Sequence, residues 1–419
     1  MLMTQVLSRE NLLQAHKKVV SNKGTPGIDG VAVEELWEFC QSQWASIREK
    51  IVESTYRPLP VKKVEIPKPG GGKRILGIPC TIDRLILQAL NQVLTPIFDE
   101  GFSESSFGFR PKRSAHDALE KSVEHIAAGH TWVVNIDLEK FFDRVNHDML
   151  MARIARKVKD KDVLKLIRRY LQAGIMDNGV IQPRTEGTVQ GAPLSPLLSN
   201  IMLDDLDKEL ERRGHRHCRY ADDFNIYVKS ERAGTRVMES IEQFLRKKLK
   251  LPINQQKSKV IRSRYHIFLG YKFYGYKNPK LRIAPQSFTR LKDKIRGSLR
   301  RWRGMKMQMV IKELNQMLRG WMVYFRLADG AKGHMEKLEA WILHHLRCII
   351  WRQWKQARTR FNKLVSFKVN RNKAARVAWG RGGPWYSSAT SAMNFALNND
   401  YFKALGWIGL KNLYNKLKS

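Results

Sequence analysis

Two adjacent carboxylates, Asp222 and Asp223, sit in the run Tyr220-Ala221-Asp222-Asp223, between stretches of strand character at residues 217–220 and 224–228. In the second stretch Phe224, Ile226 and Val228 alternate with Asn225, Tyr227 and Lys229, the period of a half-buried strand. The pattern predicts a hairpin with its acids at the tip. Like charges that close repel and resist ionising together. A bound divalent cation removes the penalty: Mg²⁺ typically takes one or two protein carboxylates plus substrate phosphates. Two such ions can activate an attacking oxygen and stabilise a leaving one. Acid pairs also arise from turn propensity and on solvated helix faces, and Asp204-Asp205 reads as such a face.

A metal site therefore needs a third carboxylate elsewhere. Trp132-Val133-Val134-Asn135-Ile136-Asp137 reads as a buried strand ending on an acid, with a helix beyond it. That position is where phosphate and metal sites are commonly built. Taken alone, Asp137 serves equally well as a cap for the next helix.

The balance of charge points to a polyanion. The chain carries a net charge of +37, from 76 Lys and Arg against 39 Asp and Glu. Residues 281–419 hold 29 basic and 6 acidic residues, and after Glu339 the only acid is Asp400. Nucleic acid is the expected partner. No run of 18 apolar residues is present, and the N-terminus lacks a secretion signal, so no membrane partner is expected. Cys40, Cys80, Cys218 and Cys348 are too widely spaced for a C-x-x-C zinc site and argue against a disulfide framework. A reducing cytosol fits. The histidines have no ligand-like spacing and are assigned no metal.

Periodicity predicts an α+β chain. Residues 1–60 read as helical, broken by a Gly/Pro-rich turn at 23–30, and residues 61–80 as a β-hairpin around Gly70-Gly71-Gly72. Helices are expected at 81–100 (with Thr81 as its cap), 114–128, 147–173, 197–213 and 235–250, and short strands from there to 283. From Pro285 the pattern becomes helical, with helices at 286–303, 307–327 and 334–356 and a basic tail. Trp302, Trp321, Tyr324, Trp341, Trp351 and Trp354 lie among Arg and Lys there, a mixture suited to RNA as well as to a helical core.

Several segments in order carry a resemblance. They are residues 134–147, residues 190–200 (beginning Gln190-Gly191-Ala192-Pro193-Leu194-Ser195-Pro196), and Tyr220-Ala221-Asp222-Asp223. With them stand residues 22–30, residues 66–74, residues 105–111 (including Phe107-Gly108-Phe109-Arg110-Pro111) and Phe268-Leu269-Gly270. Together they are similar to the reverse transcriptase/maturase proteins of bacterial group II introns, of the endonuclease-lacking, group IIC-like kind, over essentially the whole chain. The resemblance implies a right-hand polymerase: an N-terminal extension at 1–60, fingers at 61–130, and a palm at 131–283 with a fingers insertion at about 147–187. A helical thumb or maturase domain at 284–358 and a basic DNA-binding domain at 359–419 would follow.

The implied activity is RNA-directed DNA synthesis with two Mg²⁺ ions, Mn²⁺ being a possible substitute, held by Asp137, Leu138, Asp222 and Asp223. A primer 3′-hydroxyl would attack the α-phosphate of a deoxynucleoside triphosphate. Lys68 and Arg74 flank the glycine-rich turn and would clamp the triphosphate, a plain basic surface hairpin being the alternative. Phe142 would exclude a 2′-hydroxyl, unless it is a core aromatic beside Phe141. Gln190 would lie against nucleotide and template. Val189 and Ala192 replace the family's usual Pro and Gly without removing a chemical group. Arg110 would contact template or nucleotide, unless it forms a structural ion pair. Lys257 or Lys259 would protonate the leaving pyrophosphate, unless solvated. Leu269 and Gly270 would hold the primer end. Implied partners are intron RNA, an RNA template with DNA or RNA primer, and target DNA; whether two copies form a homodimer the sequence leaves open. A non-catalytic splicing chaperone, or a domesticated relative in DNA repair or phage defence, are the alternatives.

Overall fold

The computed structural model describes residues 1–67, 71–177 and 179–418. Two compact units emerge, one from Met1 to His266 and one from Ile267 onward. The division falls between residues 266 and 267, inside the segment 131–283 that the resemblance implies as palm.

The first unit opens with α1 (Leu2–Val6), α2 (Arg9–Ser21) and α3 (Leu36–Val52), the expected break lying between α2 and α3. β1 (Val61–Pro67) and β2 (Lys73–Ile78) pair antiparallel, and α4 (Thr81–Asp99) follows. Thr81 does not cap α4: its hydroxyl donates to the Val31 carbonyl at 2.7 Å, and Cys80 stands at the cap. α5 (Ala115–Ala127) starts with a reciprocal Ser114–Asp117 capping box.

Next come β3 (Trp132–Asp137), α6 (Phe141–Arg144), α7 (His147–Lys157), α8 (Lys161–Gln172), β4 (Ile175–Asp177) and β5 (Val180–Gln182). The single helix expected at 147–173 is two helices. Val158 is extended, and the Asp160 carboxylate accepts from the Asp162 and Val163 amides at 3.1 and 3.3 Å, starting α8 afresh. Because β4 pairs parallel with β1, this segment extends the first hairpin into a sheet ordered β2-β1-β4-β5.

α9 (Ser195–Arg212), β6 (Arg216–Tyr220), β7 (Asp223–Val228), α10 (Glu231–Phe244) and β8 (Lys259–Arg262) complete the unit. The second sheet is antiparallel, ordered β6-β7-β3-β8. α10 lies against Val134, Val228 and Val260 through Gly234, where a Cβ would stand 2.5 Å from the Val260 side chain. The other face is covered too. The Tyr227 ring packs 5.2 Å from that of His125, and Cys218 donates to the Ala118 carbonyl on α5. β7 is therefore buried on both faces, including Asn225 and Tyr227, and is not the half-buried strand its alternation suggested.

In the second unit, β9 (Ile267–Phe268), β10 (Tyr271–Tyr274) and β11 (Lys280–Ile283) form a small antiparallel sheet. α11 (Pro285–Arg301), α12 (Met307–Tyr324) and α13 (Lys332–Gln353) pack apolar stripes together. The tail is helical: α14 (Ala357–Ser366), α15 (Arg371–Ala378), α16 (Pro384–Ser388), α17 (Ser391–Ala396), α18 (Asn399–Ala404) and α19 (Leu410–Lys418). Glu339 on α13 anchors it, accepting from the Trp407 indole at 2.8 Å and the Leu410 amide at 3.0 Å. Trp351 is fully buried, whereas Trp302, Trp321, Trp341 and Trp354 are only partly so. Among the described residues no helix is long and apolar enough to cross a membrane.

Candidate active site

The three aspartates meet at one end of the β6-β7-β3-β8 sheet. β3 and β7 run antiparallel with Asp137 directly opposite Asp223, and Tyr220 opposite Asp223 closes the β6–β7 hairpin. Opposed residues share a face, so Asn135 and Asn225 lie behind the acids. The Asn135 side-chain amide donates to the Asn225 side-chain amide oxygen at 3.1 Å and to the Asp223 carboxylate at 3.3 Å. The two-residue turn holds Ala221 and Asp222. Ala221 has φ +59°, a region that disfavours side chains other than glycine's.

Neighbours impose that turn. Arg219 is buried and donates to the Asp207 carboxylate, the Asn200 amide oxygen, the Ser106 hydroxyl and, at 2.9 Å, the Ala221 carbonyl. Asn200 in turn donates to the Gly108 carbonyl at 2.9 Å. Gly108 lies so close that a Cβ there would stand 2.2 Å from the Ala221 nitrogen. Of these supports, the sequence reading placed Gly108 only inside a motif and passed over Arg219 and Asp207. Asp207 follows Leu206 on the apolar side of α9, between Leu203 and Leu210. A carboxylate there demands a buried cation, and that was the available signal.

Electrostatics mark the same spot. Burial pushes the Asp223 carboxyl up to about 7, with the Asp222 and Asp137 charges adding to it and the Asn135 hydrogen bond opposing. Burial also raises Asp222, aided by Asp137, while the Arg74 and Arg219 charges pull it down. Among the described residues no three His, Cys, Asp or Glu side chains are closed to metal-binding distance. The donor set nonetheless suits a hard divalent cation: it is all carboxylate, and its mutual repulsion is what such an ion offsets. Lys257 supplies one positive charge, its Nζ 3.5 Å from Asp137 Oδ2. Lys259, its alternative, lies exposed on β8 opposite Asn135. The loop that carries Lys257 is tied to Asp137 by the Asn254 amide, which donates to the Asp137 carbonyl at 2.7 Å. Leu138 has its side chain buried and offers a ligand only a carbonyl.

Phe142 is partly buried, its ring edge-on to the buried Phe141 at 5.2 Å. Its carbonyl accepts from the Thr188 amide at 2.6 Å, and the flanking Gly187, φ +86°, has room for no Cβ against the Phe142 and Asp143 carbonyls. Gln190 accepts at its carbonyl from the Gly77 amide at 3.0 Å, joining the β1–β2 hairpin to the Gln190-Gly191 turn. Val189 is buried against Gly77, and Ala192 is buried beside it, so both departures from the family pattern are accommodated in the interior. Arg74 projects exposed from β2. Lys68 lies outside the described residues.

Two expectations change. Arg110 does not face a template: it is buried, donating to the Asp99 carboxylate at 2.7 Å and to the carbonyls of Asp99, Ser103 and Ser106. Asp204 and Asp205 are not a solvated face, since Asp204 pairs with Lys208 and Asp205 with Arg153 and Arg156. Leu269 and Gly270 belong to the second unit, as the two-residue β9–β10 turn with φ +50° and +81°. There Tyr324 donates to the Leu269 carbonyl at 2.8 Å and Ser287 to the Gly270 carbonyl at 2.9 Å.

Residues 66–273 match the family model described as reverse transcriptase (RNA-dependent DNA polymerase), and residues 288–365 the group II intron, maturase-specific domain. Protein YkfC of Escherichia coli strain K12 is 32% identical over 316 residues, covering 66% of this chain and 82% of YkfC. Group II intron-encoded protein LtrA of Lactococcus lactis subsp. cremoris is 30% identical over 323 residues, covering 61% of this chain and 54% of LtrA, so the match spans about half of that relative. Among solved structures, a partial Cas6-RT-Cas1–Cas2 complex matches with TM-score 0.39 and 25% identity, over 59% of this chain and 42% of that one.

Proposed function

This chain belongs to the reverse transcriptase/maturase family of group II introns, and from that premise we propose that it copies RNA into DNA and binds the RNA of its own intron to promote splicing. The observation that carries the catalytic half is the register of β3 on β7, which sets Asp137 opposite Asp223 beside the Asp222 turn. Asp137, Asp222 and Asp223, with the Leu138 carbonyl, would hold Mg²⁺. When bound, the metal supplies charge that activates the attacking hydroxyl and stabilises the leaving oxygen.

The chain's own groups do the rest. The bond that forms joins the primer 3′-oxygen to the α-phosphorus of a deoxynucleoside triphosphate, and the bond that breaks releases pyrophosphate. Arg74, an exposed cation on β2 whose charge reaches Asp222, would bind the triphosphate. Lys257 is favoured over Lys259 to donate a proton to the departing pyrophosphate, because it already stands beside Asp137. Phe142, with its backbone fixed by Thr188, gives a rigid edge against which a 2′-hydroxyl would clash. Arg110 has no role here beyond holding the 99–106 loop. The turn at Leu269-Gly270 is proposed to hold the primer end, and the second unit, bearing most of the excess positive charge, is the surface proposed for intron RNA and, in mobility, target DNA.

Primer extension on an RNA template with deoxynucleotides and Mg²⁺ tests this, comparing wild type with Asp222→Asn. Extension lost in the variant, with RNA binding kept, is the expected result. RNA binding by a folded wild type that never extends a primer would leave the splicing-chaperone alternative.

A further inference from the structure

Between α11, α13 and α16, within the second unit, lies a cavity of ≈ 280 Å³. Leu299, Cys348 and Ile349 give it an apolar floor. Arg296, Arg300, Arg303 and Arg352 line it, together with His345 and Trp385. Arg296 is held by Asp293 at 2.8 Å. Arg300, Arg303 and Arg352 have no carboxylate partner among the described residues, and all three are exposed. Three uncompensated guanidinium groups around an apolar floor repel one another and await an anion.

The aromatic side is built rather than incidental. Trp385 remains 46% exposed, yet it is braced from below. The His344 ring centroid lies 3.6 Å from that of Trp385 and the His345 centroid 4.6 Å. His344 Nε2 is 3.0 Å from the Trp385 carbonyl, and Ser388 donates to the same carbonyl at 2.9 Å. His345 is half-buried, and burial pushes it down to about 4, with the His344 and Arg296 charges adding to the effect. It is therefore neutral near pH 7, with one ring nitrogen to donate and one to accept. A fixed aromatic plane, a neutral imidazole and free guanidinium groups together match a flat heterocycle attached to a phosphate. The volume admits one such unit and excludes a duplex.

We propose that this cavity is a binding site for one unpaired nucleotide of RNA, its base against Trp385 and His345 and its phosphodiester on Arg300, Arg303 and Arg352. The site deepens the RNA-binding reading above and rests on it. An acidic peptide would satisfy the arginines and leave the braced indole unused. Unpaired bases, by contrast, stack on aromatic side chains and guanidinium planes.

The test uses the full chain and fluorescence anisotropy of a labelled 12-nucleotide single-stranded RNA, with a duplex of the same sequence as control. Trp385→Ala is expected to weaken single-strand binding about tenfold, the scale of one base–aromatic stack, with duplex binding little changed. Trp385→Phe should restore most of the loss. The double variant Arg300→Gln/Arg352→Gln, at exposed positions, reads the phosphate side if Trp385→Ala folds poorly, and should also weaken single-strand binding. Unchanged single-strand affinity, or equal loss for both RNAs, overturns the proposal. Full competition by adenosine monophosphate at the concentration of the RNA would mean that the site takes free nucleotides, and overturns it likewise. Primer extension by the same variants separates the two readings. Extension without any effect on RNA affinity sinks the pocket alone. A single-strand-specific loss in a protein that never extends a primer sinks the polymerase reading and leaves the pocket standing.

Discussion

A glycine with no side chain of its own controls the turn that carries Asp222. Gly108 touches the Ala221 backbone so closely that any Cβ must displace it, and Arg219 fixes the same residue from the other side. Gly108→Ala is therefore expected to shift Asp222 by a fraction of an ångström or more. Misplacements near 1 Å can cost on the order of 100-fold in rate. Primer extension should show that loss in kcat, with template affinity nearly unchanged; an active Gly108→Ala variant would mean that the turn adapts freely. Arg219→Leu tests the other support. It leaves buried Asp207 without its guanidinium partner, with only the His217 Nε2 at 3.7 Å beside it, so thermal or urea unfolding should show a loss of about 3–5 kcal/mol. The acids themselves were legible because their spacing and strand context are local. Arg219, Asp207 and the inward turn of Arg110 were not, because each is defined by a partner distant in sequence: Arg110 reads as a basic surface residue until Asp99 and the Ser103 and Ser106 carbonyls are seen around it.

At the scale of elements, α4 and α8 and the loop after α3 are tied by one carboxyl. Tyr56 and Tyr170 donate to Asp83 Oδ1 at 2.7 and 2.9 Å, in a site buried from solvent. Burial raises the Asp83 carboxyl to about 6, against the two tyrosine hydrogen bonds, with the Asp29 charge adding slightly to the rise. The unfolded chain releases this proton near pH 3.8, the folded one near 6. Between those values the folded state holds the extra proton, so stability falls as pH rises through the window and levels above it. The difference corresponds to about 3 kcal/mol. Asp83→Asn keeps an acceptor for both tyrosines and carries no charge. Urea unfolding at pH 4.5 and 7 should show a smaller loss of stability on raising the pH in Asp83→Asn than in wild type; identical slopes would mean that the carboxyl is ionised throughout. Element identities were largely readable from periodicity, and the misjudged ones share a cause. The strand β7 alternates as though one side met water, yet α5 covers that side. The break between α7 and α8 turns on Asp160, a cap whose carboxylate also accepts from the Met3 amide at 2.9 Å, which no local pattern reveals.

Across the whole molecule, charge and chemistry are separated by burial. Residues 281–419 carry 29 basic and 6 acidic residues, mostly as exposed side chains, while Asp222 and Asp223 are partly buried at the end of a sheet. Salt screens exposed charges far more than buried ones, and single-stranded nucleic acid releases counterions with a slope near −0.7 per phosphate neutralised. Raising KCl from 50 to 200 mM should therefore weaken RNA binding strongly, by about 300-fold for six phosphate contacts. The kcat at saturating template–primer should change far less, because the acidic cluster and Lys257 act at short range in a partly dry site. Binding isotherms and steady-state extension at four salt concentrations read both quantities on one preparation. A flat binding slope would remove the basic surface from RNA recognition. A kcat that falls in parallel with affinity would mean that the charges holding RNA and those running the chemistry are not separate.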